Sequence, residues 1–76
     1  MKSVQLKKFK KYLISKGLEH KRTESSHEIW DYKNGSLPRP VIVVGKHNDV
    51  PYLHIKTTLK TLGISTKDFE RDIKGF

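Results

Sequence analysis

The sequence predicts an α+β fold of two layers: one helix, a three-stranded antiparallel meander, a second helix and a short C-terminal helix. Three observations carry that expectation. Apolar residues recur at helical spacing on both sides of a central stretch, that stretch divides into three short segments rich in β-branched and aromatic residues, and glycines stand where elements should end.

The first helix is expected over Ser3 to Lys16, where Leu6, Phe9 and Leu13 fall at i, i+3 and i+7 and Gly17 is placed to stop it. Its other face carries Lys7, Lys8, Lys10 and Lys11. Leu18 to Thr23 follows the stop directly and has no helical period, so it reads as a strand. His27 to Lys33, with Ile29, Trp30 and Tyr32, is the second strand, and it ends at the turn signal Asn34-Gly35. Ser36 to Pro40 makes a long hairpin loop stiffened by Pro38 and Pro40, and Pro40 to Val44 is a third, largely buried strand.

Lys46 to Asp49 reads as a polar loop. Beyond it Ile55, Leu59 and Leu62 recur at i, i+4 and i+7 until Gly63, which places the second helix over Tyr52 to Leu62. Ser65, with Asp68 three residues on, resembles a capping box that opens a last helix carrying Phe69 and Ile73. The first and second helices together are expected to cover one face of the sheet, in the manner of a double-stranded-RNA-binding domain. Trp30 and Tyr32 share one strand face and are read as core in preference to a stacking platform for bases.

Seventy-six residues hold one hydrophobic core, so residues 1–76 are expected to be one domain. A chain of this size has no room for an enclosed cavity, and any ligand must sit on its surface. Sixteen Lys and Arg against eight Asp and Glu give a formal charge of +8, a field that draws polyanions and makes nucleic acid the default partner. No apolar run approaches the ~18 residues of a spanning helix and none follows the N-terminal lysines as in a signal peptide, so no membrane partner and a cytoplasmic location are expected. The chain has no cysteine, which excludes disulfides, thiolate metal sites and a cysteine nucleophile together.

Four histidines, His20, His27, His47 and His54, are the side chains whose ordinary protonation range suits general acid-base work near neutral pH. His27 has the most suggestive setting. It follows Ser25-Ser26 where a turn ends and a strand begins, and the cations Lys21 and Arg22 lie on the adjoining strand. An RNA phosphate held there would present its 2′-hydroxyl to a neutral imidazole. Glu28 is next in sequence but should point to the opposite sheet face, away from His27. Asp31, Asp49, Asp68 and Asp72 are dispersed, so no metal site is expected, and the absence of any Gly-rich phosphate loop or dinucleotide fingerprint argues against a nucleotide cofactor.

Several of these segments together resemble one known family. Gly17-Leu18, Ser25-Ser26-His27-Glu28-Ile29-Trp30, Asn34-Gly35, Val41 to Val44 and Leu59-Lys60-Thr61-Leu62-Gly63-Ile64-Ser65, taken in that order over nearly the whole chain, resemble the HicA toxins of toxin-antitoxin pairs. The resemblance implies a fold similar to a double-stranded-RNA-binding domain, metal-independent endonuclease cleavage of messenger RNA, and a HicB antitoxin partner that masks the site. By the same resemblance His27 takes the place of the catalytic histidine in the family's Gly-Ser-His motif, with Ser25 standing where the family usually has glycine. His27 is therefore the expected general acid-base residue, and Lys21, Arg22, Ser26, Lys7 and Lys11 are the expected RNA contacts. Two other functions are compatible with the sequence: a non-catalytic RNA-binding module, and an inactive relative that binds only an antitoxin-like protein.

Overall fold

The computed structural model describes residues 3–46 and 48–76. In chain order the elements are β1 (Val4–Gln5), α1 (Leu6–Ser15), β2 (Leu18–Glu24), β3 (His27–Tyr32), β4 (Val41–Val44), β5 (Asp49–Val50), α2 (Tyr52–Leu62) and α3 (Thr66–Ile73). The expected α+β layout is the one observed. The central sheet has the order β2-β3-β4, antiparallel throughout, with α1 against β2 and α2 against β4.

The main departure from the sequence expectation is a second, two-stranded sheet. Val4 pairs with Val50 and Gln5 with Asp49, and the Leu6 amide donates to the Asn48 carbonyl at 2.7 Å. These bonds hold residues 4 and 5 in extended backbone, so α1 begins at Leu6 and not at Ser3. The same pairing converts the end of the expected polar loop into β5. The seam joins the start of α1 to the start of α2, and Val50, 5% exposed, belongs to the core.

Helix ends follow local chemistry. Gly63 caps α2 at φ 73°, a left-handed conformation that costs a residue with a β-carbon about 1–2 kcal/mol. Its neighbour Ile64 donates to the Leu59 carbonyl at 3.0 Å and so satisfies an acceptor of the last turn. At the start of α3 the Ser65 hydroxyl accepts the Asp68 amide at 3.1 Å, and the Asp68 carboxylate in that first turn complements the helix dipole.

Strand alternation sorts the side chains of the sheet into two sets. Glu28, Trp30 and Tyr32 of β3 lie on the helix-covered face with Leu18 of β2 and Val41 and Val43 of β4. Trp30 is buried and Tyr32 packs on the core, as expected. His27, Ile29 and Asp31 alternate to the other face, where Ile29 pairs across the sheet with Ile42. Ile29 is buried yet stands outside the main core, between Arg22 and Ile42.

α1, α2 and α3 enclose the core from above. Phe69 of α3 meets Phe9 and Tyr12 of α1 edge-on, with ring centroids 6.1 and 4.8 Å apart. Tyr12, one helical turn from Phe9, is fully buried although the apolar spacing of α1 does not require it. Each fully buried side chain of this size contributes roughly 1.5–3 kcal/mol, so the contact of α3 with α1 is a substantial part of what holds this small domain together.

Candidate active site

The β2–β3 hairpin positions His27. Glu24 and His27 are cross-strand partners, so Ser25 and Ser26 form a two-residue turn. Ser25 has φ 59°, the one described non-glycine residue in that region, and Ser26 does not share it. A left-handed first position followed by an ordinary second one is the pattern of the type II′ hairpin turn, where glycine is the usual occupant. Ser25 therefore holds the backbone shape that glycine would adopt more cheaply.

The turn is tied to the end of β4. The Gly45 amide donates to the Ser26 carbonyl at 2.8 Å, and Gly45 also passes close to Glu28. The Glu28 carboxylate lies on the helix-covered face, as expected, and takes no part in orienting His27. Its Oε2 accepts from Lys10 Nζ at 2.8 Å and its Oε1 from Trp30 Nε1 at 3.2 Å. Burial pushes the Glu28 pKa up, but the hydrogen bonds from Lys10 and Trp30 and the charges of Lys10 and His20 outweigh it and leave the carboxyl below its ordinary value. Glu28 is thus a clamp between α1 and the mouth of the hairpin.

The four histidines separate in space. His20 Nε2 lies 2.8 Å from Thr23 Oγ1 and its ring sits against Trp30, so it is committed to the hairpin's own structure. His47 lies outside the described residues. His27 and His54 line one open groove of about 370 Å³ between β4 and α2. His27 reaches it beside its cross-strand partner Val44, and His54 enters from the first turn of α2. Arg39, from the loop between β3 and β4, lines the same groove, and no carboxylate among the described residues does.

The expected RNA contacts do not all converge on His27. Ser26 adjoins it in the turn. Arg22 shares its sheet face, opposite Ile29, but its guanidinium is paired with Glu24 at 2.8 Å. Lys21 is the extra residue of a bulge between His20 and Arg22. Its ammonium turns to the Glu19 carboxylate and the Lys33 carbonyl, both at 3.0 Å, away from the hairpin turn. Lys7 and Lys11 of α1 line a separate groove with Lys8 and Phe76. None of the residues that line it lines the groove of His27.

His54 was among the histidines named from the sequence, but Arg39 and the threonine stripe of the His27 groove were not. Arg39 stands between Pro38 and Pro40, whose fixed φ angles narrow the range of the loop that carries it. The wall of α2 is the polar stripe His54, Thr57, Thr58 and Thr61, at i, i+3, i+4 and i+7. That spacing was a usable signal, because four polar residues on one helical face are as regular as an apolar stripe. The arrangement sets imidazoles and a guanidinium around a surface groove of a strongly basic chain. Such a groove suits a phosphodiester: the guanidinium can hold non-bridging oxygens in a bidentate manner, and an imidazole can move a proton.

Among the described residues, no three His, Cys, Asp or Glu side chains gather as a metal site would require, and no helix is long and apolar enough to cross a membrane. No protein-family model, curated protein or solved structure matches this chain.

Proposed function

We propose that this chain is a metal-independent endoribonuclease that cleaves messenger RNA, the toxin of a toxin-antitoxin pair, with His27 as its general acid-base residue. The observation that carries the reading is the position of His27: exposed at the mouth of a clamped hairpin, in a groove shared with Arg39 and, among the described residues, lined by no carboxylate. An RNA phosphate bound by Arg39 sets the adjacent 2′-hydroxyl against the imidazole. Removal of that proton starts attack on phosphorus, and the reaction needs no enclosed pocket. The resemblance of Ser25-Ser26-His27 and the segments around it to the HicA family supports the same reading. So does Ser25, which keeps a turn conformation suited to the glycine of that family's motif. The partner implied is a HicB-like antitoxin that covers the groove in the cytoplasm.

The test is expression of wild type and His27→Ala in cells. Growth arrest and RNA decay are expected from the wild type alone, and cleavage by the purified protein should persist in excess chelator. Equal arrest by both proteins would remove His27 from the mechanism.

A second reading, an RNA-binding module without catalysis, is favoured by one observation. Lys7, Lys8 and Lys11 line a groove separate from that of His27 and hold no ion pair with a described residue. Binding that tracks these lysines, with no strand cleavage under any condition, would favour it over the ribonuclease.

A further inference from the structure

The groove that contains His27 has a second imidazole on the wall contributed by α2. We propose that His54 is the general acid of the reaction in which His27 is the base, and that Arg39 holds the phosphate between them. The inference rests on the ribonuclease reading above and extends it to the leaving-group side of the phosphodiester.

In-line displacement at phosphorus needs a proton acceptor at the attacking oxygen and a proton donor at the departing one, on opposite sides of the phosphate. One histidine cannot occupy both sides at once. Here His27 comes from the sheet and His54 from the helix, so the two imidazoles approach one groove from different elements. The other residues of the helix wall are threonines, whose hydroxyls are not general acids. The Thr57 and Thr61 hydroxyls donate to the Leu53 and Thr57 carbonyls of their own helix, at 3.0 and 3.1 Å. Lys56 and Lys60 line a different groove on the far side of α2.

The step balances without a co-reactant. Neutral His27 takes the 2′-hydroxyl proton as the 2′-oxygen forms its bond to phosphorus. The bond from phosphorus to the 5′-oxygen breaks, and protonated His54 gives its proton to that oxygen. The products are a 2′,3′-cyclic phosphate and a 5′-hydroxyl, and solvent restores the two imidazoles to their starting states. Arg39 pairs with the non-bridging oxygens as charge builds on them.

The test uses a short RNA spanning a site mapped with the wild-type protein on a transcribed messenger RNA. It is made in two forms, with oxygen or sulfur at the bridging 5′ position. A thiolate leaves without protonation, so it has no need of a general acid. His54→Ala and His54→Gln should lower cleavage of the oxygen form by about 10²–10⁴-fold, and cleave the sulfur form at close to the wild-type rate. His27→Ala should fail on both. Because His54 is exposed, both His54 variants should unfold at the wild-type temperature.

Wild-type rates on the oxygen form from both His54 variants overturn the inference, and so does an equal loss on both forms, which assigns His54 to binding alone. Either result leaves His27 in its role. Absence of cleavage by the wild-type protein overturns the ribonuclease reading and the role of His54 with it.

Discussion

Glu28 fills the space above Gly45: a methyl group on Gly45 would lie 2.6 Å from Oε2 of Glu28, the oxygen that also receives Lys10. A β-carbon at Gly45 is therefore opposed by the movable end of a neighbour's side chain and not by the glycine's own backbone. Gly45→Ala should swing the Glu28 carboxylate off Lys10 and destabilise the protein by about 1 kcal/mol, the usual worth of one part-exposed charged hydrogen bond. In a Glu28→Ala background the same substitution should cost little. Urea denaturation of the four proteins reads this coupling directly, and full additivity of the two substitutions would disprove the contact's role.

Stability should depend on pH through Glu28. Its pKa is lowered in the folded protein, so the unfolded chain binds the proton more tightly. The stability that this group contributes is then fully present above the ordinary value of 4.5 and is lost as pH falls through the lower folded value. The difference in unfolding free energy between wild type and Glu28→Gln should shrink as the pH falls below 4.5. A difference that grows on acidification would contradict the clamp.

Tyr12 carries its hydroxyl into the core with no hydrogen-bond partner among the described residues. Burial, and then the charges of Asp72 and Asp68, push its pKa up, which marks an environment hostile to the ionised ring. Tyr12→Phe keeps the edge-on contacts to Phe69 and Phe76 and removes the stranded group. It should raise stability by about 1 kcal/mol, measured as a higher denaturation midpoint with unchanged slope. A fall in the midpoint would mean that the hydroxyl is satisfied.

Ser25 holds a left-handed conformation that glycine adopts without strain. Ser25→Gly should stabilise the hairpin by about 1 kcal/mol, and Ser25→Val should destabilise it by more than that. On the proposed function, Ser25→Gly should leave RNA cleavage intact. A glycine variant that melts below the wild type would show that the serine side chain, and not backbone strain, governs the turn.

Lys7 and Lys11 should matter to RNA affinity and not to chemistry. Lys7→Gln and Lys11→Gln should each weaken RNA binding at low salt and each lower the slope of log affinity against log salt by about 0.7 for a single strand. Cleavage at saturating RNA should be unchanged. Titrations at several salt concentrations test this, and a lost maximal rate with unchanged affinity would place these lysines nearer the reaction than their groove on the helical layer suggests.

The order and type of the main elements were legible in the sequence because their signals are local. The period of Leu6, Phe9 and Leu13, the stop at Gly63 and the cap at Ser65 each act within a few residues, and each appears as read. Trp30 was legible as core for a related reason: alternation along one strand sorts its faces before any partner is known. The short β1–β5 seam was not legible, because two residues are too few to show a period and the pairing joins Val4 to a partner far along the chain. Nor was the separation of Lys7 and Lys11 from His27, since charge counted along a sequence does not say on which layer it will lie.

By itself, then, the sequence determined an α+β domain with a strongly positive field and a histidine at the mouth of a hairpin. Composition, hydrophobic period and turn chemistry are properties of short segments and survive without a fold. The tertiary structure alone decided that His27 lines one groove with Arg39 and the stripe from His54 to Thr61, because those residues come from a strand, a loop and a helix that share no local signal. Packing of α2 against β4 turned a polar helix face, which would otherwise be an ordinary solvated surface, into the second wall of a groove.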